Sequence, residues 1–439
     1  MKKNLKLFTI GAAMLLSLGA LVSCGGNTTK PDNPDTPNTP DNPDTPDNPD
    51  TPSGTTVDLV FSGPADSRDF YNEVFAKFKE AKAAEGDKNT YNITYVEFGE
   101  DKVDSLVTDW KSAAAPDVYC YASDKILPLY QKGALAELGG AYKTFVTTAN
   151  NQVNVDLATF NGKVLAYPYD GSNTYFLYYD KSVFPTAPKT WEEVFAKAAE
   201  TNKKFSYRLK EGFYSGALIT SFGAGWEMTL DNSGKVTDIS ADFDTDKGIK
   251  AGKAMLKIMK DKSFQNDQAA PTDTNKLVAC VDGSWNLATY KETMGENFGY
   301  TIMPTITIDN ETVITKSFLG GKLLGVNPLK GGDDRLVAAH ELAKFVTSED
   351  MQLFRFKEKG TLPTNIEALK NAEVASSEMA QIIDATNAAD GYLAQGALPA
   401  GIWNAPVTLA ASIDDGSTTE ANIDKAMEVL NTTIEKVSD

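Results

Sequence analysis

Eight prolines recur at every third position from Pro31 to Pro52 and divide this chain of 439 residues into three parts. A period of three matches the three residues per turn of polyproline II, so the prolines fall on one stripe of an extended helix. Aspartates between them repel one another and keep the segment extended. We therefore predict a spacer over residues 24–54, between a leader and a globular body. A proline-rich docking site is the weaker alternative, because the basic and apolar flanks that such sites usually offer are missing.

The leader, residues 1–23, is typical of a secretory signal. Three lysines within the first six residues precede an apolar run from Leu7 to Val22. The run ends in the letters LVSC, which resemble a lipobox and imply that Cys24 becomes the lipid-carrying mature N-terminus. An incidental cysteine after an ordinary signal is the alternative. We expect the body to be held at the extracellular face of the cell membrane through Cys24.

Composition and charge exclude several classes of function. The net charge is −18, and the body has no basic stripe, which argues against nucleic acid as a partner. The single histidine, His340, lies in an amphipathic helical pattern, so histidine-dependent triads and typical zinc sites have at most one candidate, in an unfavourable place. The aspartates of 242–246 lack the glycine and glutamate of a calcium loop, and no glycine-rich phosphate loop follows a strand. We predict no cofactor and no metal.

The body contains two cysteines, each within an apolar strand-like run. They are Cys120 in VYCY and Cys280 in VACV. Two buried free thiols are expected, with a disulfide between these distant segments as the alternative.

Strand-like apolar runs alternate with helical patterns through residues 55–439, which indicates an α/β fold. A body of this length exceeds what one core ordinarily serves, so two lobes are expected. Thr190 and Glu193 form the signature of a capping box, which predicts that a helix begins at Trp191. Trp110 and Trp191 are assigned to the core, and Trp226 is left undecided. The other predicted elements are strands over 57–61, 92–98 and 117–122, helices over 247–260 and 423–434, and a helix carrying Val103, Leu106 and Trp110.

Five short blocks carry a resemblance to a known family. They are PDVYCYASDK from Pro116, NGKVLAYP from Asn161, PKTWEE from Pro188, FGAGW from Phe222 and DGSW from Asp282. In order and spacing they resemble the extracellular solute-binding proteins of ABC sugar importers, and among these most closely the maltose/maltodextrin-binding proteins. The likeness extends from about Val57 to the C-terminus. Each block alone is a weak signal, but their order over the right length is specific.

The resemblance implies a periplasmic-binding-protein-like α/β fold with two lobes, three crossings between them and a central ligand cleft closed by a hinge. The crossings are expected near 170–173, 318–321 and 345–348. The lobes would then comprise residues 55–170 with 319–346 and residues 171–318 with 347–439. The implied function is that of a monomeric receptor, without enzymatic chemistry, that delivers an oligosaccharide of the maltodextrin type to the membrane permease subunits of an ABC importer.

Sugar binding needs flat aromatic surface for the apolar C–H faces of a pyranose, and paired donors and acceptors for its hydroxyls. The resemblance assigns stacking to Tyr121, Trp285 and Trp403. It assigns hydroxyl binding and neighbouring contacts to Asp124, Lys125, Glu211, Phe213, Tyr214, Ser172 and Asn173, and, in the loop after the first strand, to Asp66 and Arg68.

The chain departs from the family pattern at two positions. Ser172 stands where maltodextrin-binding members carry a carboxylate, and Val407 stands where they carry an arginine. These departures favour an oligosaccharide in general over maltodextrin. A receptor for a polyamine, held by carboxylates and aromatic faces, stays open. So does a glycoside hydrolase that uses Asp124 and Glu211 as its carboxylate pair.

Overall fold

The structure, a computed structural model, describes residues 54–100, 109–266, 276–329 and 332–437. The chain from Pro52 to Asp439 forms one compact unit. The predicted leader, the spacer up to residue 53 and the start of the helix predicted around Val103 and Leu106 lie outside the described residues. None of the helices in the described ranges is long and apolar enough to cross a membrane.

The strands mostly join one mixed sheet, in the order β10-β7-β11-β6-β15-β3-β1-β2, with β12 beside β6 and β16 beside β15. The remaining strands form the separate antiparallel pairs β4–β5, β8–β9 and β13–β14. Their bounds are β1 Thr56–Gly63, β2 Thr90–Glu97, β3 Val118–Ala122, β4 Thr159–Phe160, β5 Lys163–Val164, β6 Tyr167–Asp180, β7 Lys204–Tyr207, β8 Trp226–Leu230, β9 Val236–Ala241, β10 Phe264–Gln265, β11 Leu277–Gly283, β12 Phe298–Thr301, β13 Thr305–Ile308, β14 Glu311–Ile314, β15 Ser317–Val326 and β16 Tyr392–Ala394.

Strand β6 joins two groups of strands. Up to Thr174 it pairs with β15, and from Tyr175 onward it pairs with β11 and β12. Strands β1, β2 and β3 lie on one side of this change of partner, and β7, β10 and β11 lie on the other. The sequence of β6, YPYDGSNTYFLYYD, is rich in aromatic residues that favour a sheet and is buried along nearly its whole length. We call β1, β2 and β3 the first strand group, and β7, β10 and β11 the second strand group.

Helices pack on both strand groups and give the layered α/β arrangement. Their bounds are α1 Arg68–Ala84, α2 Ile126–Gln131, α3 Gly140–Ala149, α4 Gln152–Leu157, α5 Trp191–Thr201, α6 Gly212–Leu218, α7 Asp246–Met259, α8 Leu287–Met294, α9 Asp333–Val346, α10 Glu349–Lys359, α11 Ala372–Ala375, α12 Glu378–Ala388, α13 Asn404–Asp414 and α14 Ile423–Glu435.

The local sequence patterns predicted these elements well. The strands expected over 57–61, 92–98 and 117–122 are β1, β2 and β3, and the helices expected over 247–260 and 423–434 are α7 and α14. The capping box is confirmed, since the Thr190 hydroxyl accepts from the Glu193 backbone N–H at 3.1 Å and α5 begins at Trp191. Trp110 and Trp191 are buried in the core, as predicted.

The two body cysteines and the histidine are core residues. Cys120 and Cys280 are free and buried, so the disulfide alternative is wrong. Burial raises the pKa of each thiol to about 12, which keeps both protonated and unreactive. His340 lies buried in α9, where its Nδ1 is 2.8 Å from the Tyr167 hydroxyl and its ring stacks on Tyr142. This placement gives His340 a structural role.

Candidate functional site

A cleft of about 660 Å³ lies between the two strand groups. Turns at the ends of β3 and β11 and the middle of β6 all contribute to its lining. The cleft brings together most of the residues that the sequence singled out, although they are separated by hundreds of positions. These residues are Asp66, Asp124, Lys125, Ser172, Asn173, Glu211, Phe213, Tyr214, Trp285 and Trp403.

The other two predicted site residues do not line the cleft. Tyr121 is fully buried in β3, with its ring centroid 5.9 Å from that of Tyr119. The stacking role predicted for Tyr121 is therefore wrong in this conformation, because a ring with no exposed surface cannot contact a ligand. Arg68 instead donates from Nε and Nη2 to the Glu97 carboxylate at 3.0 and 2.8 Å.

Trp285, Phe213 and Trp403 line one side of the cleft as an aromatic wall, and Phe318 packs behind them. The ring centroids of Trp285 and Phe213, of Phe213 and Phe318, and of Phe318 and Trp403 lie 6.3, 5.7 and 5.3 Å apart. Phe318 is fully buried behind the others, whereas the Trp285 indole is 48% exposed. An aromatic ring this exposed has lost little contact with water, so a ligand that covers it gains the transfer free energy of its face. The three rings that line the cleft therefore offer apolar surface to a ligand.

Two glycines, Gly212 and Gly216, leave the space in which Trp403 packs. A β-carbon on Gly212 would lie 2.6 Å from Cβ of Trp403 and 2.8 Å from its carbonyl oxygen, and one on Gly216 would lie 3.2 Å from its ring. Both glycines belong to α6, so that helix can approach the turn 400–403 closely. The sequence EGFYSG therefore builds the wall both with Phe213 and with the space that its glycines leave.

Asp124 is a buried carboxylate of the cleft, in the single turn Ser123–Lys125 that follows β3. Its Oδ1 accepts from the Gln395 amide at 3.0 Å, and its Oδ2 lies 3.9 Å from Nζ of Lys125. Burial raises the pKa of Asp124, while Lys125, Lys322 and a hydrogen bond from the Trp403 indole oppose that rise. A buried acceptor with these few partners can bind a hydroxyl of a ligand.

The middle of β6 contributes a second buried carboxylate, Asp170. Its Oδ1 accepts from the backbone N–H and the hydroxyl of Ser172, at 2.8 and 2.6 Å. Burial raises the pKa of Asp170, and Arg355 opposes that rise. The Ser172 hydroxyl also accepts from the backbone N–H of Leu362 at 3.1 Å. Ser172 is therefore held by its own strand and offers little free hydrogen-bonding capacity.

The second strand group contributes an arginine that sequence reasoning missed. Arg208 donates to Asp282 at 2.8 Å and to both oxygens of Glu211 at 3.3 Å, and it also donates to the Tyr214 hydroxyl. Burial alone would lower the pKa of Arg208, but Tyr214, Asp282 and Glu211 together raise it. Glu211 stays half exposed at the cleft. The spacing of three positions between Arg208 and Glu211 was the sequence signal that could have indicated their contact.

Sequence reasoning also missed Lys322 on β15 and Arg355 on α10, which both line the cleft. Lys322 pairs with Glu100 at 2.9 Å, and Tyr169 donates its hydroxyl to the same carboxylate. Burial would raise the pKa of Glu100, but Lys322, Tyr169 and Arg355 lower it. The guanidinium of Arg355 lies over the Tyr169 ring at 4.5 Å. A lone lysine in the otherwise apolar strand FLGGKLLGV was a usable signal, whereas nothing around Arg355 in the sequence marks it.

Charges along the described lining of the cleft balance. The acidic side chains are Asp66, Glu100, Asp124, Asp170 and Glu211, and the basic ones are Lys125, Arg208, Lys322, Arg355 and Lys359. Five charges of each sign leave no excess that would attract an ion of either kind. A polar ligand without net charge suits this lining best.

Trp226, which the sequence left undecided, does not line the cleft. It lies half-buried on β8, where its ring packs against Phe243 at 6.1 Å.

Comparisons with known proteins agree with this architecture. A family described as bacterial extracellular solute-binding protein matches residues 73–381, more than half of the chain. The maltodextrin-binding protein MdxE of Bacillus subtilis (strain 168) is 25% identical over 309 residues, which is 64% of this chain and 69% of that protein.

Solved structures match over most of the body. One with acarbose has a TM-score of 0.74 at 29% identity and covers 86% of this chain and 98% of that one. The maltodextrin binding protein MalE1 from L. casei BL23, without ligand, has a TM-score of 0.73 at 23% identity, with coverages of 88% and 99%. The predicted two-lobed α/β fold is thereby confirmed, whereas the three crossings and the lobe boundaries stay predictions. By its family match, this chain belongs to the bacterial extracellular solute-binding proteins and is a binding protein rather than an enzyme.

Proposed function

We propose that this protein captures an oligosaccharide in the cleft and delivers it to the permease subunits of an ABC importer. The lobes close over the sugar, and the lipid on Cys24 holds the protein at the extracellular face of the membrane. The observation that carries the proposal is the aromatic wall of Trp285, Phe213 and Trp403 in a cleft that also holds buried polar groups.

The chemistry of sugars explains why these two surfaces belong together. A pyranose presents apolar C–H faces that pack on aromatic rings, and hydroxyls at its edge that must keep hydrogen bonds when water leaves. Asp124, Lys125 and Asn173 supply acceptors and donors near the wall. Each hydroxyl can then exchange its bonds to water for bonds to the protein.

The relatives support an oligosaccharide ligand, since one is a maltodextrin-binding protein and another structure holds acarbose. The serine at 172 and the valine at 407 leave the linkage and chain length of the sugar open. The balance of charges along the cleft disfavours a polyamine, because its ammonium groups would need carboxylates that are not already paired.

Isothermal titration calorimetry with malto-oligosaccharides of increasing length tests the proposal, with spermidine as the cationic comparison. We expect a sugar to bind and spermidine not to bind. Trp285→Ala and Trp403→Ala should each weaken sugar binding by about 1–3 kcal/mol, the range for removing an aromatic anchor. Trp226→Ala is the matched control, because that indole lies outside the cleft.

Two results would contradict this assignment. If spermidine bound and no sugar did, the ligand would be a polyamine and not an oligosaccharide. Normal sugar affinity in both cleft variants would remove the aromatic wall from the site. Release of labelled sugar fragments during incubation would reopen the hydrolase alternative.

The anchor is tested separately, by membrane fractionation of the Cys24→Ala protein. We expect it to leave the membrane fraction while the unchanged protein stays there. Salt-resistant membrane association of the variant would contradict lipidation at Cys24.

A further inference from the structure

Gln395 is a buried amide at the point where the cleft meets both strand groups. It follows β16, lines the cleft and is only 3% exposed. Its Nε2 donates to Asp124 Oδ1 at 3.0 Å, and its Oε1 accepts from the Asn173 amide at 2.6 Å. One side chain therefore connects two cleft residues that are otherwise held by different strands.

Chemistry fixes the orientation of both amides. An ionised carboxylate only accepts hydrogen bonds, so the NH₂ group of Gln395 must face Asp124. The carbonyl oxygen of Gln395 then faces Asn173, and the NH₂ group of Asn173 must be the donor to it. Asp124 Oδ1 is taken up by this contact, while Oδ2 lies toward Lys125. The chain of bonds thus selects one rotamer for each of the three side chains.

The backbone of Gln395 is held as firmly as its side chain. Its N–H donates to the Leu319 carbonyl at 2.9 Å, and its carbonyl accepts from the Ser123 hydroxyl at 2.8 Å. A β-carbon on Gly320 would lie 2.2 Å from Oε1 of Gln395, so the amide rests directly on that glycine. The amide therefore cannot move without moving the segments around 320 and 123.

We propose that Gln395 is a positioning residue of the cleft, whose amide holds the Asp124 carboxylate and the Asn173 amide in the orientations that bind the ligand. This inference rests on the proposed function, because Asp124 and Asn173 matter only if the cleft binds a sugar. Gln395 acts through its two partners. The change in sugar affinity when Gln395 is substituted is therefore expected to depend on the protonation of the Asp124 carboxylate.

The substitution Gln395→Glu tests this role because it preserves the shape of the side chain. It keeps the oxygen that accepts from Asn173, but it replaces the donor to Asp124 by a second carboxylate. Two carboxylates this close share one proton, so one of them stays protonated to a higher pH than usual. The charged groups around the pair are Lys125 and Lys322, and Lys322 also faces Glu100 and Asp170.

The expected signature is a pH-dependent loss of affinity relative to the unchanged protein. At pH 8 both carboxylates are ionised and repel, so sugar affinity should fall at least about tenfold. At pH 5 the shared proton restores a donor between them, and the loss should shrink to less than about threefold. Calorimetry with the tightest-binding malto-oligosaccharide, on both proteins at each pH, measures this ratio.

Gln352→Glu is the matched control. Gln352 is also a buried glutamine, 1% exposed, with both amide atoms hydrogen-bonded, but it does not line the cleft. Its variant carries the same buried carboxylate and should keep normal affinity at both pH values. An equal, pH-dependent loss in the control would show general destabilisation and would overturn the inference. A loss in Gln395→Glu that does not vary with pH, or no loss, would also overturn it.

A ligand-free measurement separates this inference from the proposed function. If the unchanged protein binds no sugar, the proposed function fails, but the contact is still tested by thermal unfolding at pH 8. Asp124→Asn removes the repulsion, so adding it to Gln395→Glu should recover much of the lost unfolding temperature. Strictly additive effects of the two substitutions would overturn the contact between Gln395 and Asp124.

Discussion

A β-carbon on Gly283 would lie 2.2 Å from Cε2 of Trp285, so the indole occupies the space that any larger residue would need. Gly283 ends β11, and Trp285 follows in the turn Ser284–Asn286. The ring folds back over the strand end and stays half exposed at the cleft. The DGSW block thus contains both the tryptophan predicted to stack on the sugar and the glycine that leaves space for its ring.

Gly283→Ala should displace the Trp285 indole and weaken sugar binding about tenfold, which is ~1.4 kcal/mol. The backbone at Gly283 has φ −69° and ψ 152°, which alanine adopts without strain, so the fold should be preserved. Gly225→Ala is the control, because nothing lies within 4 Å of its β-carbon position. Calorimetry measures the affinities, and equal binding by both variants would contradict a seating role for Gly283.

Arg208, which lines the cleft, forms a buried ion pair with Asp282, and removing one partner should be costly. Asp282 is 2% exposed and would be left as an uncompensated charge in Arg208→Met. We expect a loss of about 3–5 kcal/mol in the free energy of unfolding, measured with urea. Lys210→Met breaks the more exposed pair with Asp414 and should cost less than about 1 kcal/mol. Similar losses in the two variants would contradict the importance of burial.

His340 makes stability depend on pH below neutrality. Burial lowers its pKa to about 4, partly opposed by Glu341, whereas the unfolded value is near 6.5. The depressed pKa means that the stabilisation is fully present above pH 6.5 and is lost as pH falls toward 4. The contribution is on the order of 3 kcal/mol.

Urea unfolding at pH 7 and at pH 4.5 measures this contribution. His340→Gln keeps an acceptor for the Tyr167 hydroxyl but carries no titrating ring. The variant should therefore lose less stability than the unchanged protein between the two pH values. An identical loss in both would assign the acid sensitivity to carboxylates instead.

Local patterns predicted the elements because their information lies within a few residues. The capping box at Thr190 and the apolar spacing of Ile423, Met427 and Leu430 need no distant partner. The resemblance likewise located ten residues that line the cleft, since it compares short blocks. The resemblance could not show toward which face of the sheet each side chain of a fully buried strand points.

Tyr121 shows this limit. All five residues of β3 are buried, so no alternation of apolar and polar positions distinguishes one face from the other. Gln395, Lys322 and Arg355 were missed for a different reason, because each meets its partners across long sequence separations. Only the folded chain brings Gln395 beside Asp124, 271 positions away.

Closure of the cleft is the remaining prediction. Asp124 and Lys125 follow β3 of the first strand group, whereas Glu211 and Trp285 follow β7 and β11 of the second strand group. A sugar that touches both sets gains its full interactions only when the two sides approach. Ligand should therefore shift the population toward a closed state and make the molecule more compact.

Small-angle scattering of residues 55–439 should show a smaller radius of gyration with saturating sugar than without it. The spacer is left out because its own extension would mask the change, and the body from Pro52 onward is a compact unit without it. Tryptophan fluorescence should change in the same titration, since Trp285 leaves water when it is covered. Trp285→Ala should reduce that fluorescence change, with Trp403 left as the source of the remainder, whereas Trp226→Ala should retain it in full. An unchanged radius at demonstrated saturation would mean that the cleft binds without closing, and the hinge would have no part in capture.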